Sequence, residues 1–300
     1  MSEKNVPVVK LVPEEALLEP LPEHVKKRFE QALALMHDES NSLASWEQIA
    51  TKSAISPFHF HRQFSRLFNE TPGQYLSRHR LQMAVNLLFR EQCGTVTEIA
   101  QQCGFSSSQA LGKALKKSLG VTAKQVRKMA AEFTPTQSAE FIAKLAHPGK
   151  QHSLETELAK SIKAELIWYP KRSMKKLYLA DLNWDSVIEH FGTKVTRLLG
   201  ATPVSQLDNA WHQIEYVIGD WTRNEAEHDF VLPEGHYLCI EVLFSTDVAY
   251  SAALEALFAI AEQQELQIDE HAFFVEMVRE IDSSQLGAVT FSFQLPIVKD

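Results

Sequence analysis

Cysteine is scarce. The three thiols, Cys93, Cys103 and Cys239, are too few and too scattered for a disulfide framework, and no CxxC or Cys/His cluster points to a zinc site. That usage suits a reducing, cytoplasmic setting. Glycine and proline number only 11 and 12 in 300 residues, which excludes collagen-like and low-complexity chains. No stretch approaches the roughly 18 apolar residues that cross a bilayer. The start, MSEKNVPVVKLVPEEALLEP, carries charges where a secretory segment would be apolar, so neither secretion nor membrane spanning is expected. Enzyme signatures are missing as well: there is no GxSxG, HExxH or GxxxxGK[ST]. Cys239 alternates within Tyr237-Leu238-Cys239-Ile240 like a strand-core thiol and has no evident His partner. His59 and His61, two apart on a helix, cannot face one metal. No catalytic residue, cofactor or metal is expected, and the reading is of a non-enzyme.

What is present is an ordinary globular composition, 45% hydrophobic and 23% charged, at a length that suggests two domains. The net charge of −8 hides two opposite parts. Residues 21–130 hold 15 Lys+Arg against 8 Asp+Glu, a balance of +7, and the remainder holds 15 against 30. Lys113, Lys116, Lys117, Lys124, Arg127 and Lys128 form one basic run at helical spacing. Taken alone, such a run is as readily a solvated helix face.

The basic part contains a repeat of about fifty residues. Gln48-Ile49-Ala50-Thr51-Lys52-Ser53-Ala54-Ile55-Ser56 matches Glu98-Ile99-Ala100-Gln101-Gln102-Cys103-Gly104-Phe105-Ser106. A small Ala lets two helices approach, a small residue four later relieves a tight turn, and Ser56 or Ser106 caps the next helix: the spacing of a helix-turn-helix. Phe60, Arg62, Phe64 and Phe68 then correspond to Leu111, Lys113, Leu115 and Leu119. Thr71-Pro72-Gly73-Gln74-Tyr75 corresponds to Thr122-Ala123-Lys124-Gln125-Val126. Between the units, Gly73 to Glu91 reads as one helix of about 27 Å, a length that suits two readers in successive major grooves about 34 Å apart.

On these segments residues 21–130 resemble the DNA-binding domain of the AraC/XylS transcription-regulator family. The resemblance implies an all-α double helix-turn-helix over 21–132 after an N-terminal extension, 1–20. It places base readers at Phe58, His61 and Arg62 in the first unit and at Ser108, Gln109, Gly112 and Lys113 in the second. Arg62 can fork onto guanine or hold a phosphate, Gln109 can pair with adenine, and Phe58 can meet a thymine methyl. Lys116 and Lys117 are expected to anchor phosphates. This chain departs from the pattern at Ala54, Gly112, Ala123 and Val126.

Residues 133–160 read as a linker containing a short helix around 139–146. Beyond it, strands are expected over 163–169, 174–179, 211–218, 235–244, 272–279 and 288–295, with helices over 185–199 and 248–263. The order suggests an α+β domain, 161–300, with an antiparallel sheet and helices on one face. This part resembles the GyrI-like small-molecule-binding domain, on Val231-Leu232-Pro233-Glu234-Gly235-His236-Tyr237, the Glu276 strand and the ending Phe291-Ser292-Phe293-Gln294-Leu295-Pro296-Ile297. The resemblance implies that Glu276 faces a cationic, lipophilic ligand, although the family's Tyr two residues on is Val278 here. Trp168, Trp184, Trp211, Tyr216 and Trp221 are the aromatic candidates to line such a pocket. A carboxylate among Phe274 and Met277 has a plainer reading as an exposed strand residue or an ion pair with Arg279.

Three classes compete. The leading one is a regulator that binds double-stranded promoter DNA and responds to a small effector, with contact to RNA polymerase by family analogy. In the second, the acidic residues 131–300, at −13, form a protein-interaction surface. The third is an enzyme fused to a DNA-binding module, Glu276 acting on a water. Monomer and dimer both stay open.

Overall fold

The computed structural model describes residues 6–38, 44–90, 94–180, 182–282 and 287–299. The chain opens with a short strand, β1 (Val8–Leu11), and a helix, α1 (Pro13–Leu18). Then come α2 (Glu23–His37), α3 (Trp46–Lys52), α4 (Pro57–Phe68), α5 (Pro72–Phe89), α6 (Val96–Gln102), α7 (Ser108–Leu119) and α8 (Ala123–Glu132). Side-chain caps start α3 to α8. Ser45, Thr71, Thr95 and Thr122 each form a capping box with the Gln or Glu three residues on, satisfying orphan amides at both ends of the motif. Ser56 caps α4 as expected, but Ser107, not Ser106, caps α7.

The two helix-turn-helix units have separate cores. Phe29, Phe60, Phe64, Phe68 and Tyr75 form an aromatic cluster under α3–α4. Under α6–α7 the core is mainly aliphatic, with Leu111, Leu115, Leu119 and Val126 buried beside Leu81 and Leu88 of α5. Helix α5, 18 residues long, runs through both cores.

Residues expected to link the halves are packed structure. Thr134 caps α9 (Pro135–Ile142), whose Phe141 enters the second unit's core, and Ser153 caps α10 (Leu154–Ala159), whose Ala159 enters the core of the sheet. The rest forms β2 (Glu165–Tyr169), β3 (Arg172–Lys176), α11 (Trp184–Phe191), β4 (Leu198–Pro203), β5 (Val217–Asp220), β6 (Phe230–Leu232), β7 (Gly235–Phe244), α12 (Asp247–Gln263), β8 (Phe273–Ile281) and β9 (Val289–Ile297). The helix expected over 185–199 ends early: it loosens at Gly192 into 3-10 turns, and Leu198 and Leu199 begin a strand. Trp211–Gln213 is likewise a 3-10 turn, and the strand starts at Val217.

The sheet order is β1-β7-β9-β8-β4-β5-β3-β6, with β2 also on β7. All pairs are antiparallel except β1 with β7. The supposed N-terminal extension is therefore corrected: β1 pairs with Glu241–Phe244 and β2 with Gly235–Cys239, so both occupy one edge of β7. Leu11 is fully buried there, which is why a four-residue segment distant in sequence holds its place. Phe291, Phe293 and Leu295 of β9 and Leu238, Ile240 and Val242 of β7 face α10, α11 and α12 in one core. The opposite face buries Met174, Tyr237, Cys239 and Val275.

Candidate nucleic-acid interface and a buried carboxylate

Helix α4 turns Phe60, Phe64 and Phe68 inward, so the residues between them face out. Phe58 is 77% exposed, and the exposed Arg62 guanidinium lies 5.9 Å from its ring centroid. Arg66, one turn further, is exposed in the same row; its i+4 spacing from Arg62 was the available signal. His61 is half-buried, packed against Trp46 at 5.3 Å. On α7, Gln109, Lys113 and Lys117 are exposed, whereas Ser108 and Gly112 are half-buried. Lys116 is exposed but donates from Nζ to the Gly120 carbonyl at 2.9 Å, closing its own helix. Gly112 has open space where a Cβ would stand, so nothing in the packing of α7 requires glycine there.

The turns differ. Gly104 sits at φ 72° without strain, but its counterpart Ala54 adopts φ 54°, a left-handed conformation that a Cβ disfavours.

In the sheet, Glu276 lies on β8 between Gly200 of β4 and Phe293 of β9, facing the helices. It is 4% exposed, and Tyr250 of α12 donates its hydroxyl to Oε1 at 2.6 Å. Burial pushes its carboxyl above the ordinary carboxylate range, and Tyr250, Trp184 and Tyr216 oppose that shift. Trp184 Nε1 and the Tyr216 hydroxyl are buried and lean towards the carboxylate, but neither makes a well-formed hydrogen bond. Gly200 provides their room: a Cβ there would stand 2.8 Å from the Tyr216 hydroxyl and 3.0 Å from the Trp184 ring. The phenol sought at position 278 comes instead from Tyr250, while Val278 is buried in the core. Tyr250 was missed because a tyrosine in the first turn of an apolar helix reads as packing.

The other candidates lie elsewhere. Trp168 is 52% exposed on β2, and Trp221 is 45% exposed just beyond β5. Trp211, also 45% exposed, donates from Nε1 to Ser138 Oγ at 2.9 Å, outside the Glu276 cluster. Arg279, offered as a partner for Glu276, pairs with Glu241 at 3.3 Å instead, because the strand alternation puts the two on opposite faces. Burial pushes the Cys239 thiol up to about 12, so it is inert packing.

A family model described as a helix-turn-helix domain matches residues 49–129. The HTH-type transcriptional activator RhaS of Escherichia fergusonii is 33% identical over 105 residues, 35% of this chain and 37% of RhaS. Residues 49–129 are a helix-turn-helix domain. The chain thus spans little more than a third of the length of that curated relative. Among solved structures, an AraC-type regulator from Chromobacterium violaceum matches at 24% identity and a TM-score of 0.32, covering 36% of this chain and 96% of its own. SAV2435, solved with tetraphenylphosphonium, matches at 16% identity and a TM-score of 0.33, covering 45% and 94%.

The helix-turn-helix domain is gripped from two sides. At the start of α5, Tyr75 donates to Glu14 Oε1 at 2.7 Å, and the same oxygen lies 2.8 Å from His147 Nε2. His147 Nδ1 is 2.7 Å from Glu155, and all four side chains are buried. Burial alone would lower the His147 pKa, but the Glu14 charge and hydrogen bonds to Glu14 and Glu155 outweigh it and raise it to about 9. Burial would raise Glu14, yet His147 holds it well below the usual carboxylate range. His37 and His79, stacked at 4.1 Å beside this cluster, are pushed down by burial. At the far end of α5, Asp185 Oδ2 accepts from Arg90 Nη2 at 2.6 Å and from Asn86 Nδ2 at 3.3 Å. Beyond α8, the Trp211 amide donates to the Phe133 carbonyl, and His212 Nδ1 lies 2.6 Å from the Ala131 carbonyl. Among the described residues no helix is long and apolar enough to cross a membrane.

Proposed function

We propose that this protein is a transcription regulator that binds double-stranded DNA in a sequence-specific manner and takes a lipophilic cation at Glu276. The observation that carries the DNA half is the repeat itself: two capped helix-turn-helix units, each presenting an exposed row of readers, joined by one continuous helix. Phe58 and Arg62 project from the first unit, Gln109 and Lys113 from the second. A helix inserted in the major groove offers such side chains to base edges, and Lys117 supplies a phosphate contact. The names of the relatives agree with this reading.

The full chain should enrich a site of about 18–20 bp from random duplex, the reach of two readers on successive turns. Arg62→Ala should then cost roughly 1–3 kcal/mol and relax one base position, while Lys117→Ala should weaken all sequences alike and lower the salt slope by about one. Equal binding to every sequence would end the specific-regulator reading.

For the effector half, the support is a carboxylate buried with three aromatic side chains against it and no basic partner among the described residues. An unpaired buried carboxylate is costly, and a soft cation flanked by ring faces would relieve it. Tetraphenylphosphonium, titrated calorimetrically into the full chain, should bind the wild type, and Glu276→Gln should weaken it at least tenfold. Absence of binding would remove this class of effector and leave the DNA half standing.

A further inference from the structure

We infer that the Glu276 site is mechanically coupled to the second helix-turn-helix unit, through Asp185 and Trp211, while the first unit is held apart from it. The inference rests on the effector reading of that site and adds which part of the DNA-binding domain it controls.

Two of the three aromatic side chains around Glu276 sit within a few residues of a contact to the second unit. Trp184 and Asp185 are the first two residues of α11. The indole leans on the carboxylate and packs edge-on against Phe291 at 5.3 Å, while the neighbouring Asp185 accepts from Arg90 and Asn86 at the end of α5. Tyr216 follows Trp211 and His212 by only a few residues, and these hold Ser138, Phe133 and Ala131. Phe133, together with Phe141 of α9, packs against the core of α6–α7. A shift of either ring is therefore carried by a short length of chain to one or other end of that unit.

The third side chain, Tyr250, lies in the first turn of α12, which packs against α9 beside the second unit and against α10, and α10 leads through Glu155 and His147 to the first unit. That route runs through ion pairs sealed from water, which yield only at high cost. Asp185, 49% exposed, and Trp211, 45% exposed, make contacts of the weak surface kind. Only contacts of comparable strength in two arrangements can be reset by a ligand's differential affinity.

Gly200 allows a test without any ligand. Gly200→Ala inserts a methyl against Trp184 and Tyr216, displacing the rings as an occupant would. Hydrogen exchange on the free, full-length protein should show amides of α6 and α7 exchanging at least threefold faster in Gly200→Ala and those of α3 and α4 unchanged. In a background carrying Asp185→Asn and Trp211→Phe, adding Gly200→Ala should produce no further change. Trp184→Phe serves the same cycle if the alanine variant does not fold, as judged by thermal unfolding. The same increment in both backgrounds, no change in either, or a change in α3 and α4 would each overturn the coupling. Because neither DNA nor tetraphenylphosphonium enters the measurement, failure of the proposed function and failure of the coupling are read separately.

Discussion

The two helix-turn-helix units share a plan and differ in how they are held. The first has an aromatic core, a strained Ala54 turn and a buried ionic cluster, Glu14–His147–Glu155 with Tyr75, tying it to α1 and α10. The second has a mainly aliphatic core, a relaxed Gly104 turn and surface contacts through Asp185 and Trp211. One copy of the repeat is held by buried ion pairs, the other by contacts at partly exposed side chains. A repeat seen in sequence thus says little about mechanical equality, because tertiary neighbours decide stiffness.

The largest effect should come from breaking the buried cluster. His147→Ala leaves Glu14 and Glu155 buried without their partner and should cost roughly 3–5 kcal/mol in urea unfolding, whereas Arg90→Ala, beside a half-exposed Asp185, should cost no more than about 1 kcal/mol. Equal costs would erase the distinction between the units.

A pH profile sharpens it further. The His147 pKa is raised, so its stabilisation is complete below the ordinary imidazole value of 6.5 and is lost as pH climbs through about 9. Burial lowers the pKa values of His37 and His79, so below 6.5 the unfolded chain binds more protons at these positions than the folded chain, and stability falls again. Glu14, depressed by the same partners, adds a loss only at strongly acid pH. Unfolding free energy attributable to this cluster should peak near pH 6.5, and the alkaline limb should vanish in His147→Ala. A flat profile in the wild type would mean the cluster does not titrate as a unit.

The smallest effects have opposite signs. Ala54→Gly relieves a left-handed alanine and should raise stability by about 0.5–1 kcal/mol, whereas Gly104→Ala imposes the same strain on the second unit and should lower it by about 1 kcal/mol. Thermal unfolding of the two variants, read side by side, checks both.

Much of the helical part was legible because its signals are local. Ser and Thr caps, the i, i+4 rows of Phe60, Phe64 and Phe68, and the small residue at each turn all act within a few residues. The strand Gly235–Phe244 and the alternation of Phe291, Phe293 and Leu295 were legible for the same reason. Four-residue β1 carries too few apolar positions to announce itself, α10 has only six residues, and the short helix expected around 139–146 is α9, which begins earlier, at Pro135. At the carboxylate site, Glu276, Trp184 and Tyr216 were on the candidate roll, but so were three tryptophans that the fold carries elsewhere.

By itself, then, the sequence determined the duplicated helix-turn-helix, its outward rows of Phe58, Arg62, Gln109 and Lys113, and the division of charge between the parts, since propensity, capping and periodicity are properties of neighbouring residues. Only the tertiary structure decided that Glu14 would meet His147 across 133 residues, that β1 would complete the distant sheet, and which aromatic rings would close over Glu276. Those pairings come from burying surface and charge between segments far apart in the chain, where the chemistry of each residue permits many partners and packing selects one.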